Sequence, residues 1–199
     1  MADSTNPFDI PAGQFPIVAG YTDGAYAWPG AGWKFHEASL HFRICCVSID
    51  LSAHCADIEP GCLSPEEGAL FVARKLAQNE VPYLYYSESR TQAVHDALIA
   101  AGVGLHYAPW VARWDDRAEL DVAGYLKQYA NPTLTGAHYD LSVAADYLPG
   151  LDPLPPPPAH GGAGGSVEGW SSLQVKVEVD IPAFGHELGV LASGLQGLG

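Results

Sequence analysis

Residues 54–87 read HCADIEPGCLSPEEGALFVARKLAQNEVPYLYYS, and the fold class turns on them. The first six residues are a short apolar segment, a strand stopped by Pro60-Gly61. Ser64 is then placed to cap a helix, Pro65 suits its first position, and Glu67 completes a capping box. Leu70, Phe71 and Leu76 give that helix an apolar face. The sequence VPYLYYS at 81–87 is rich in aromatic and branched residues and reads as the next strand. Strand, helix, strand at this spacing is a βαβ unit.

The same pattern extends in both directions. Downstream, 89–103 reads as a helix with Ser89 as its cap and Gly102 at its end. Residues 105–114 follow as a strand, and 124–130 and 137–148 are two further β segments. Upstream, 15–24 is an apolar run that ends in an acidic turn, and HFRICCVSI at 41–49 is another strand. The residues between them, AYAWPGAGWKFHEASL, read as a loop or short helix. The strands are apolar on both faces, as parallel strands covered by helices must be. A doubly wound sheet and a barrel both satisfy this. Neither AGVG nor GCLSPEEG matches a phosphate-binding glycine loop, which favours the barrel.

Composition limits the function. The 199 residues carry 9 Lys+Arg against 23 Asp+Glu, a formal net charge of −14. A surface of that sign has no basic stripe to displace counterions, so neither nucleic acid nor an anionic membrane is expected as a partner. No apolar run is long enough to span a bilayer, and the N-terminus lacks the basic start and apolar core of a secretory signal. Export then requires lysis, a special route, or a phage particle. The four cysteines, Cys45, Cys46, Cys55 and Cys62, are too few for a disulfide scaffold. Cys45 and Cys46 should point to opposite faces of a strand. A zinc set of His41, His54, Cys55 and Cys62 contains no C-x2-C pair, so small buried thiols are favoured. A Cys55–Cys62 bridge is kept as an alternative.

Residues 1–15 are polar and Pro-rich and read as an N-terminal arm, with the main domain at 16–152. Residues 153–169 form a Pro-then-Gly linker. Residues 170–199 contain a clean alternation, Leu173, Val175, Val177, Val179 and Ile181, followed by a glycine-weakened helical pattern. Such a strand either docks on another chain or folds back on the main domain.

Barrel chemistry collects at the C-terminal ends of the strands. Asp23 closes one strand, Asp57 and Glu59 close another, and Asp140 stands in the last β segment. Asp57 and Glu59, two residues apart on an extended chain, should face the same way, about 7 Å apart at the backbone. Converging carboxylates raise one another's pKa, and a general acid needs that to hold its proton near neutrality. Glycoside cleavage uses one protonated carboxyl on the leaving oxygen and a second carboxylate near the anomeric carbon. Tyr83, Tyr85, Tyr86, Trp110 and Trp114 on neighbouring strands could flank a sugar, although each aromatic taken alone is more simply core.

The ordered set GYTDG, ADIEPG, PYLYYS, WVARW, LKQYA and HYDLSVAADYLPG resembles the family 25 glycoside hydrolases, lysozyme-type muramidases. It is similar above all to the glycoside-hydrolase-like domains of actinobacteria and their phages. The resemblance covers about residues 16–152. It implies a TIM-like (β/α) barrel, here shortened or incomplete because only residues 24–42 separate Asp23 from the strand at 43–49. It implies Glu59 as general acid, Asp57 as the group that orients the N-acetyl substituent or stabilises the oxocarbenium-like centre, and Asp23 and Asp140 as supporting acids. Tyr85, Trp110, Trp114 and Tyr129 are the implied substrate contacts. The family reaction cleaves the β-1,4 bond after N-acetylmuramic acid in peptidoglycan and uses no metal or cofactor. The expectation is therefore a phage virion protein, tail- or capsid-associated, that binds or cleaves cell-wall glycan and meets other virion proteins through its C-terminal segment. An inactive structural module of the particle and a free endolysin are the alternatives.

Overall fold

The computed structural model describes residues 1–120 and 124–151. The linker and the alternating segment at 170–199 lie outside the described residues. Eight strands form a closed barrel in chain order: β1 Ala2–Asp3, β2 Ile17–Tyr21, β3 Leu40–Cys45, β4 Cys55–Asp57, β5 Tyr83–Ser87, β6 Ala108–Ala112, β7 Leu126–Ala130 and β8 Asp140–Ala144. Strands β1 to β7 run parallel, and β8 is antiparallel to both of its neighbours, β7 and β1. The fold is thus a mixed α/β barrel.

The ring is complete, and it is the helical layer that is abbreviated. Helices α1 Gly30–Phe35, α2 Pro65–Ala77 and α3 Thr91–Ala100 follow β2, β4 and β5, and a single turn, α4 Pro132–Thr135, follows β7. Strand β3 reaches β4 without a helix. Helix α2 begins as its sequence requires: the Ser64 hydroxyl accepts from Glu67 N, and the Glu67 carboxylate accepts from Ser64 N. The expected Ser89 cap is not used. A 3-10 turn, Glu88–Arg90, precedes α3, and the Thr91 hydroxyl donates to the Glu88 carbonyl instead. Gly102 ends that helix at φ +72°, a left-handed conformation that glycine adopts without strain.

The N-terminal residues are more than an arm. Ala2 and Asp3 pair with Val18 and Ala19 of β2 on one side, and with Leu141 and Asp140 of β8 on the other. This two-residue strand closes the ring.

Side chains alternate between the barrel interior and the outer shell. The interior holds Ala19, Phe42, Ile44, Cys55, Tyr83, Tyr85, Trp110 and Leu126. The outer faces of β4 and β5, Ala56, Leu84 and Tyr86, pack under α2 and α3 against Phe71, Val72, Val94 and Leu98. Each of these large side chains contributes roughly 1.5–3 kcal/mol by leaving water. On the opposite wall, Ala2, Val18, Ile10 and Trp28 form a third cluster. Gly20 sits there because a Cβ would lie 2.3 Å from the Trp28 ring. Trp28 is buried and held by Nε1 donating to the Ser4 carbonyl. Gly20→Ala is therefore expected to destabilise the barrel by about 2 kcal/mol, read as a lower urea midpoint at unchanged slope. No helix among the described residues is long and apolar enough to cross a membrane.

Candidate functional site

The last inward-facing residues at the C-terminal ends of the parallel strands form a polar layer over an apolar interior. Asp3 ends β1, Tyr21 ends β2, Asp57 ends β4, Tyr85 lies on β5 and Gln128 on β7. Strand β8 runs the other way, so its first residue, Asp140, reaches the same end, opposite Asp3. Glu59 follows β4 by two residues, half-buried above Asp57.

Gln128 organises one half of this layer. It is 1% exposed. Its Oε1 accepts from the Tyr85 hydroxyl and from Trp114 Nε1, both at 2.8 Å, and its Nε2 donates to Asp3 Oδ2 at 2.9 Å. On the other half, the Tyr21 hydroxyl donates to Asp57 Oδ2 at 3.0 Å. The remaining oxygens, Asp3 Oδ1 and Asp57 Oδ1, are buried without a hydrogen-bond partner.

These surroundings disfavour charge on every acid of the layer. Burial, then the charge of Glu59, pushes Asp57 up to about 7, against the opposing pull of the Tyr21 hydrogen bond and Arg90. Burial, then Glu59, pushes Asp140 up to about 6. Asp3 is raised well above the carboxylate range by burial and by Asp140. Glu59 is raised by burial, with Arg90 opposing. Burial and the same carboxylates also raise the Tyr21 and Tyr85 hydroxyls, which stay protonated as donors. The site is a cluster of four carboxyls that cannot all ionise near neutral pH.

No protein-family model, curated protein or solved structure matches this chain.

Three of the four expected acids, Asp57, Glu59 and Asp140, share this mouth. Asp23 does different work. Its Oδ1 accepts from Cys46 N, and its Oδ2 accepts from Val47 N, Ser48 N and the Ser48 hydroxyl. Both oxygens thus clamp the loop after β3, and the carboxylate reaches Asp57 only as a weak, like-charge influence.

Among the aromatics, Trp110 is not a substrate contact. It is fully buried inside the barrel, edge-on to Phe42 and Tyr85, with Nε1 donating to the Ser142 hydroxyl. Strand alternation turns it inward, below the acid layer. Tyr85 is buried with its hydroxyl committed to Gln128. Trp114 is half exposed at the rim, with its indole nitrogen anchored. Tyr129 is half-buried where the β7–β8 register shifts.

The cysteines depart from expectation. The bridge joins Cys46 to Cys62, with Cα atoms 4.6 Å apart. Cys55 cannot pair with Cys62 because it faces the barrel interior, and it and Cys45 are buried thiols. Strands β3 and β4 are neighbours, so the loops leaving their ends meet above the sheet and bring Cys46 and Cys62 together. The four-residue zinc reading does not assemble: His41 Nε2 pairs with the His36 carbonyl, and His54 Nδ1 accepts from Arg43 N.

The sequence reading missed Asp3, Tyr21 and Gln128. For Gln128 a signal is present, since it lies beside Tyr129 in the LKQYA segment. Gln128→Leu keeps the volume and removes the polar hub. It strands the Tyr85 hydroxyl and the Asp3 carboxyl in the interior, and should lower stability by about 3 kcal/mol in denaturant titration.

Proposed function

We propose that this protein is a glycoside-hydrolase-like domain of the family 25 type, built on a TIM-like barrel with a reduced helical layer and a reversed last strand. Its target is cell-wall peptidoglycan or a related surface glycan, and its setting is a phage particle, tail- or capsid-associated. One observation carries the reading: Asp57 and Glu59 stand at the C-terminal end of the strands with their proton affinities raised by burial, beside Asp3 and Asp140. Glycoside cleavage needs a carboxyl that still holds its proton near neutrality and a second carboxyl close by.

Glu59, the more accessible of the pair, is the general acid that protonates the leaving oxygen. Asp57, braced by Tyr21, faces the N-acetyl group or the developing positive charge. Asp140, pushed up only to about 6, ionises near neutrality and keeps the field of the mouth negative, which favours the oxocarbenium-like transition state. Trp114 supplies an exposed ring for a sugar face.

A second reading, a glycan-binding or structural module of the particle without turnover, is favoured by Asp23. The acid that the family resemblance assigns to the first site strand spends both oxygens on a loop. Purified protein incubated with peptidoglycan separates the two readings. Release of reducing sugar by the wild type, lost in Glu59→Gln, supports the enzyme. Equal release by both proteins removes it. Co-sedimentation with peptidoglycan without release supports the binding module.

A further inference from the structure

The disulfide lies against the acid layer. The two sulfurs of Cys46 and Cys62 and a carboxylate oxygen of Asp57 all fall within 4.8 Å of one another. Asp57 is only 1% exposed, and its Oδ1 has no hydrogen-bond partner. A buried carboxyl with one oxygen lacking a donor, beside two sulfurs on adjacent loops, brings together the ligand types of a metal site. What prevents it is the bond between the sulfurs.

We propose that reduction of the Cys46–Cys62 bridge creates a binding site for one thiophilic divalent cation of the zinc class, held by Cys46, Cys62 and Asp57. The chemistry balances with a dithiol reductant. The dithiol passes two electrons and two protons to the bridge, closes to its own cyclic disulfide, and leaves two protein thiols. Metal capture then releases both thiol protons to solvent, together with any proton on Asp57, and forms two metal–sulfur bonds and one metal–oxygen bond.

Two thiolates select a borderline-soft cation over magnesium or calcium, which prefer all-oxygen shells. Three protein ligands leave the fourth tetrahedral position to water. Asp23 holds the Cys46 backbone in place, and Cys62 lies in the short loop between β4 and α2, so the sulfurs can part by a side-chain and loop adjustment on the Cys62 side without moving a strand. The other two cysteines lie buried beneath, Cys55 within the interior cluster and Cys45 in the outer shell. The same loops therefore offer a covalent tie in an oxidising environment and a metal tie in a reducing one, and the second takes Asp57 out of the acid layer.

The test uses the full chain, reduced with dithiothreitol, freed of reductant without air, and titrated with Co2+ as a spectroscopic stand-in for zinc. The reduced wild type should show thiolate-to-cobalt charge-transfer absorption that saturates at one ion per chain and is bleached by Zn2+. The oxidised protein should show none. Cys62→Ser should lose the band, and Asp57→Asn should weaken Co2+ binding at least about tenfold. Absence of the band in reduced wild type overturns the proposal, as does a band that survives in Cys62→Ser or an affinity unchanged in Asp57→Asn. None of these readouts depends on glycan turnover.

Discussion

With the disulfide intact, Glu59→Gln is expected to slow the release of reducing sugar from peptidoglycan by about a thousandfold, the usual worth of a positioned general acid. Glutamine keeps the volume and the hydrogen-bonding carbonyl but has no proton to give. The residue is half-buried, just past the end of β4, so the fold should be indifferent to the change. The pH dependence is a second readout. The acid works only while protonated, so wild-type turnover falls as pH rises through the Glu59 value. That value lies above the ordinary glutamate range because burial outweighs the pull of Arg90. The residual rate of Glu59→Gln should lack this alkaline fall. A wild type that shows the same pH profile as the variant would assign the proton to another group, and Asp57 is the nearest candidate.

The parts of this architecture that rest on local chemistry could be read from the chain, and the parts that rest on distant pairing could not. Helix α2 announces itself through Ser64, Pro65 and Glu67, whose hydrogen bonds form within four residues. Strands β3 to β6 stand out because apolar runs covered on both faces have few other interpretations. The strand that closes the ring has only Ala2 and Asp3, set among polar and proline residues, and its partners lie at Val18 and Leu141. No window of sequence contains that information. The site divides in the same way. Asp57 was legible because strand-end acids collect at a barrel mouth. Asp3 was not, because its strand was not. Trp110 misled because an aromatic on a strand reads alike whether it faces a ligand or the interior, and its burial depends on which neighbour precedes it in register. The disulfide needed β3 and β4 to be known as neighbours before Cys46 could be matched with Cys62.

The acid layer also carries a stability consequence that runs against intuition. Asp57→Asn, with the bridge intact, should raise the melting temperature by on the order of 10 °C at about pH 8 and leave it unchanged at about pH 4. In the folded protein Asp57 titrates at about 7 against an ordinary 3.8. Over that window the native state holds a proton that the unfolded chain has lost. Native protein then binds more protons than unfolded protein, so stability falls as pH rises from about 4 to about 7 and stays lost above. The difference corresponds to on the order of 4 kcal/mol once the carboxylate is fully charged. Asparagine removes the charge, keeps an acceptor for the Tyr21 hydroxyl, and so removes the penalty at high pH. At low pH wild-type Asp57 is itself neutral, and little distinguishes the two side chains. Asp140 and Asp3 shift in the same direction, so the variant should retain a downward slope of stability with pH even after the substitution. His54, half-buried and lowered to about 4, works oppositely on the acid side, but it is present in both proteins and cancels from their difference. Thermal unfolding of both proteins across this pH range reads the effect directly. A gain of equal size at both ends of the range would mean that Asp57 is held charged throughout. In that case burial would not be setting its proton affinity, and the carboxyl cluster would lose its claim to a proton near neutrality.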